Sequence, residues 1–122
     1  MTAAGTGVVD VSTGGAITIT AASNTPFGGI RIGEASGATG TINVANIGTS
    51  LQSTGGVGQI LVGDYGAGAL NVSDYAKVDG FLLEVGRNQG SDGDVTVDGY
   101  GAQITVSNEF GGFGPASGGL EG

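Results

Sequence analysis

The segment Gly68-Ala-Leu-Asn-Val72 recurs along the chain as Gly7-Val-Val-Asp-Val11, Gly40-Thr-Ile-Asn-Val44 and Gly93-Asp-Val-Thr-Val97, each reading glycine, any residue, apolar, polar, valine. Apolar and polar side chains alternate, which is the period of a strand and not of a helix. The closing valines lie 33, 28 and 25 residues apart. A second apolar position follows six or seven residues later, at Ile17, Leu51, Val78 and Ile104. A third element precedes the motif as Ile30-Arg-Ile-Gly33, Ile60-Leu-Val-Gly63 and Leu83-Glu-Val-Gly86, with Phe110-Gly111 as its match near the end.

Three short strands cannot close a core by themselves. Stacked on the next copy at about 4.8 Å, they align like residues into columns and complete one another's backbone hydrogen bonds. The sequence therefore predicts an all-β fold, a parallel β-helix or β-solenoid of about four three-sided coils. Its inward columns are Val9, Ile42, Leu70 and Val95 beside Val11, Val44, Val72 and Val97. Ile30, Ile60 and Leu83 beside Ile32, Val62 and Val85 form a second wall, and Ile17, Leu51, Val78 and Ile104 a third. Asp10, Asn43, Asn71 and Thr96 face outward, where stacked amides can bond as a ladder. Two glycine columns, Gly33, Gly63, Gly86 and Gly7, Gly40, Gly68, Gly93, are expected at sharp corners that tolerate no Cβ. Variation in period is expected in the corners Ala21 to Gly29 and Gln52 to Gln59.

Composition agrees with a single packed unit. The chain has 122 residues, 28 of them Gly, with a mean hydropathy of +0.21. That is one domain's length and too apolar for a typical disordered chain. The formal net charge is -8, with Arg31, Lys77 and Arg87 as the only bases, which leaves no electrostatic footprint for nucleic acid. No apolar run is long enough for membrane insertion. Without Cys or His, the usual zinc sites, disulfides, thiol nucleophiles and imidazole bases are absent.

The pairing of "apolar, any, Val/Ile, Gly" with "Gly, any, apolar, polar, Val", as in ILVGDYGAGALNVSDYAKV and LEVGRNQGSDGDVTVDGYGAQITV, resembles the Gly-rich repeats of type V secretion (autotransporter) passengers and of PEP-CTERM-associated surface proteins. The resemblance runs from about Gly5 to Gly111. It implies a right-handed β-helix, exported to the bacterial cell surface or beyond, serving as a stalk, adhesin or scaffold. The tail overlays Glu109-Phe110-Gly111 on Glu84-Val85-Gly86, so that Phe110 matches Val85 and Leu120 approximately matches Val95. On this overlay the repeat stops mid-coil, and residues 1–122 are expected to be one solenoid segment excerpted from a longer repeat protein.

Chemical candidates are few. Asp92, Asp94 and Asp98 form the densest carboxylate cluster; a solvated acidic face is the favoured reading, with calcium binding and glycoside hydrolysis behind it. Tyr65, Tyr75 and Tyr100 are candidates for a carbohydrate-stacking surface, but Tyr75 and Tyr100 share a column with Ile47, and a corner packing stack is the favoured reading. Thr18 and Thr20 lack the repeated array that ice binding requires. The three bases are read as lying apart, which disfavours a catalytic cleft. The expected function is therefore a structural scaffold segment with no catalytic residue and no cofactor, stacking on neighbouring repeats or on further copies through its ends. The alternatives are a module binding surface polysaccharide or a host surface and, behind it, a β-helix enzyme acting on polysaccharide.

Overall fold

The computed structural model describes residues 5–21, 29–55 and 58–111. It is all-β, with strands β1 (Thr6–Ser12), β2 (Ala16–Ala21), β3 (Gly29–Ile32), β4 (Thr39–Ala45), β5 (Ser50–Gly55), β6 (Gln59–Val62), β7 (Ala67–Ser73), β8 (Lys77–Val85), β9 (Asp92–Asp98) and β10 (Gln103–Gly111). One sheet runs β1-β4-β7-β9, and the other runs β2-β5-β8-β6-β3 with β10 paired to β8. Among the described residues every strand pairing is parallel. Parallel neighbours cannot be joined by a tight hairpin. Each strand pairs instead with its counterpart one copy further along, and one or two other strands intervene in sequence.

The register follows the sequence columns. Val11 pairs with Val44, Val44 with Val72 and Val72 with Val97. Ile17, Leu51, Val78 and Ile104 align in the second sheet, as do Ile30, Ile60 and Leu83. All three sets feed one core that contains Val44, Leu51, Ile60, Leu70, Val72, Val78 and Leu83. Each such side chain contributes roughly 1.5–3 kcal/mol on burial. Exposure rises on the outer strands: Val44 and Val72 are 0% and 1% exposed, whereas Val97 is 48% and Val9 44% exposed, although Val11 stays buried. On the outer face the amide ladder forms. Asn71 Nδ2 donates to Asn43 Oδ1 at 2.8 Å, and Asn43 Nδ2 to Asp10 Oδ1 at 2.7 Å.

Three expectations need correction. Phe110 aligns with Leu83 and not with Val85, and Glu109 with Leu82. The connection 99–102 is one residue longer than 74–76, and the register slips again between Val106 and Glu109, so β10 drifts from the valine spacing. The match proposed for Leu120 lies outside the described residues. Second, the length change does fall within Gln52 to Gln59, as residues 54–58 against Phe81 alone, but the stretch is not a corner throughout: β5 continues to Gly55, and β8 runs straight through where the two preceding copies divide into two strands. Much of the other variable stretch, residues 22–28, lies outside the described residues.

The third correction concerns the two glycine columns, which have different causes. Gly33, Gly63 and Gly86 do turn corners, in the left-handed region at φ +71, +79 and +66. Gly40, Gly68 and Gly93 lie inside strands β4, β7 and β9, where the backbone passes against the preceding corner. A Cβ on Gly68 would sit 2.5 Å from both Gly63 N and Ile32 O.

Two comparisons test this packing. Gly68→Ala should lower stability by about 2 kcal/mol, since overpacking against backbone cannot relax by a rotamer change. Gly7→Ala, in the same column with nothing within 4 Å, should stay within about 0.5 kcal/mol. Val72→Asp should abolish folding, while Asn71→Thr stays within about 1 kcal/mol. Urea denaturation of the four variants reads both contrasts.

Candidate functional site

The best-developed polar site stands where each copy leaves the second sheet for the first. β3, β6 and β8 are followed by the left-handed glycines Gly33, Gly63 and Gly86, and the residues after them stack: Glu34, Asp64 and Arg87, then Ala35, Tyr65 and Asn88. Backbone bonds set that stacking. Asp64 N–H donates to Gly33 C=O at 3.1 Å and Tyr65 N–H to Glu34 C=O at 3.1 Å. One copy on, Arg87 N–H donates to Gly63 C=O at 3.0 Å and Asn88 N–H to Asp64 C=O at 3.2 Å.

Side chains then converge on a cavity of about 240 Å³ lined by Arg31, Asp64, Tyr65, Arg87 and Asn88. The Asp64 side chain is 4% exposed and is held from two sides. Asn88 Nδ2 donates to its Oδ1 at 2.7 Å and to its backbone carbonyl at 2.8 Å. Arg31 Nη1 lies 3.7 Å from Asp64 Oδ2 and donates to Glu34 Oε1 at 2.7 Å, bridging two successive copies. Arg87 Nε faces the buried Glu84 at 3.4 Å. Ser91 Oγ donates to the Asn88 carbonyl at 2.6 Å, which anchors the far side. Tyr65 stands at the rim, exposed.

The expectation that the three bases lie apart is therefore overturned for two of them. Arg31 and Arg87 are 56 positions apart in sequence yet line one cavity, because β3, β6 and β8 stack in register. The signal was present in the corner glycines: counting from Gly33, Gly63 and Gly86 puts Glu34, Asp64 and Arg87 in one column. Lys77 does stand elsewhere, and donates to Gly101 C=O at 2.9 Å and Gln103 Oε1 at 3.1 Å.

The other candidates are more dispersed. Asp92, Asp94 and Asp98 are exposed at alternate positions of β9, beside Ala67, Ala69 and Ser73 of the adjoining strand. Among the described residues no three acidic side chains are grouped so as to hold a metal ion. Tyr75 and Tyr100 do meet at adjoining corners, where Tyr75 N–H donates to Tyr100 C=O at 2.8 Å. Their column is not the packed stack expected. Ile47, Tyr75 and Tyr100 are all exposed, since this corner projects beyond the strands, and the Tyr75 ring covers Gly101 alone of the glycines there. Thr18 aligns with Gln52, Asp79 and Thr105, which is a mixed polar column.

The chain is similar to the uncharacterized lipoprotein YdeK of Escherichia coli (strain K12), with 32% identity over 103 residues. That alignment covers 84% of this chain and 7% of the relative, so the chain spans about 7% of the length of the curated protein it matches. No protein-family model and no solved structure matches it.

The Asp64 anchor has a measurable consequence. Asn88→Ala removes both amide bonds to the buried aspartate and should cost about 2 kcal/mol in urea denaturation. Asn88→Asp should exceed that loss, because it sets a second carboxylate against Asp64.

Proposed function

We propose that the chain is a structural segment of a right-handed parallel β-helix, a solenoid of about four three-sided coils, and that it works by rigid extension. The observation that carries this reading is the register: strands from all three positions of the repeat pair in parallel with their counterparts one copy further on. Four coils at about 4.8 Å span only about 20 Å, so the segment gains reach by continuing the stack. The far greater length of the similar lipoprotein supports a parent with room for many such coils. That the relative is a lipoprotein also supports a place in the bacterial cell envelope, where the segment would form part of a stalk or adhesin exposed at the surface.

No catalysis is proposed. The Asp64 cluster holds carboxylates against guanidinium and amide groups, an arrangement that fixes a corner, and a hydrolase of this architecture would need an acid and a base poised across a substrate. Among the described residues β1 and β9 are the outermost strands of the first sheet and Val9 and Val97 are exposed there, which suits these faces to a further coil or a second copy.

Sedimentation tests the stacking. Association should grow with protein concentration, and it should strengthen in added salt because screening relieves the repulsion between copies of net charge -8. A monomer at high protein and high salt would contradict open ends. Release of reducing ends from acidic and neutral polysaccharides should stay at background, and melting temperatures in calcium and in chelator should coincide. Turnover would replace the scaffold reading with an enzymatic one.

A further inference from the structure

The cavity beside Asp64 is more elaborate than a corner needs, since the chain turns equally at Gly33, where alanine follows glutamate and no second arginine is supplied. Its contents restrict what it could hold. Arg31 and Arg87 stand against Glu34, Asp64 and Glu84, so the cluster carries one negative charge in excess on a chain that is already acidic. Glu34 and Glu84 do not line the cavity but are paired to its two arginines, so an anionic ligand would have to compete with carboxylates already seated on both guanidinium groups. A metal cation would meet two guanidinium groups, and the carboxylates already face arginine or asparagine. Burial of a purely apolar ligand would strip these polar groups of water without replacing it.

A neutral polyhydroxyl compound satisfies the remaining conditions. Guanidinium, carboxylate and amide groups are planar forks that donate or accept in pairs, which suits neighbouring hydroxyls on one ring. Tyr65 is 58% exposed at the rim and offers an aromatic face to the C–H side of a sugar. The backbone bonds from Asp64, Tyr65, Arg87 and Asn88 to the preceding copy hold these groups in place before any ligand arrives, which limits the entropy lost on binding. At about 240 Å³ the cavity falls below the roughly 300–1,000 Å³ of a small-molecule site, so it accommodates one ring of a longer chain.

We propose that this corner is a glycan subsite that takes a single pyranose ring of a neutral oligosaccharide, with Tyr65 as the stacking platform, the two arginines and Asn88 Oδ1 as the polar contacts, and the buried Asp64 holding Asn88 and Arg31 in place. The inference does not depend on further coils being present.

Calorimetric titration of the full chain with cellohexaose, xylohexaose, mannohexaose and chitohexaose tests it, with hexagalacturonate as the anionic comparison. At least one neutral sugar should bind saturably at millimolar concentration and perturb the Asn88 side-chain amide resonances. Tyr65→Ala should weaken binding about tenfold or more with an unchanged melting temperature, and Tyr65→Phe should retain it. Tyr100→Ala, which removes the more exposed tyrosine at the other corner, should leave affinity unchanged. The proposal is overturned if no neutral sugar binds, if hexagalacturonate alone binds, or if Tyr65→Ala and Tyr100→Ala behave alike. Should Tyr65→Ala melt early, the Asn88 resonances of the parent decide: a bound sugar that leaves them unmoved places the site elsewhere.

Discussion

The constraint on which everything else rests is the parallel backbone ladder between successive copies of the repeat. A strand of four to nine residues buried on one face must satisfy its amides and carbonyls sideways, and in this chain the partner is its own counterpart one copy away. That pairing forces identical positions into contact. Valine lies on valine, asparagine donates to asparagine, and the glycine inside one strand presses on the corner glycine of the copy before. Side-chain choice in one copy therefore conditions the copy on either side.

The strands and their inward faces were legible because alternation and a recurring glycine are local signals that survive changes of period. The alternation of six and seven residues between Val11 and Ile17, Val44 and Leu51, Val72 and Val78, and Val97 and Ile104 already encoded connections of unequal length. What escaped the sequence reading accumulates along the chain. Phe110 was displaced by two positions because one extra corner residue and one slip within β10 add, and neither changes the local apolar pattern. Similarly, Gly40, Gly68 and Gly93 were visible as a column, but their reason is a contact with backbone from another copy, which composition does not reveal.

The Asp64 cluster illustrates a further limit. None of its residues repeats: the position after the corner glycine holds Glu34, then Asp64, then Arg87. A search for recurring residues passes over such a column, although the repeat is what assembles it. Charge changes sign along the stack, from Glu34 and Asp64 to Arg87, because each copy supplies a different member, so the column as a whole exists only between copies. The same holds for Arg31, whose Nη1 lies near one carboxylate in its own copy and one in the next.

The connections between the first and second strands of each copy take two forms. Residues 13–15 and 74–76 span three positions with left-handed Thr13, Gly14, Asp74 and Tyr75, while 46–49 and 99–102 span four, with left-handed Asn46, Gly48, Gly99 and Gly101. The strands on both sides keep the same alignment in either form: Ser12, Ala45, Ser73 and Asp98 stay in one row, and Ala16, Ser50, Lys77 and Gln103 in another. Codon gain or loss at that joint is consequently silent to the hydrogen-bonded frame. A gene of tandem copies can drift in length there by replication slippage, while selection on the flanking strands continues to act on a register that has not moved.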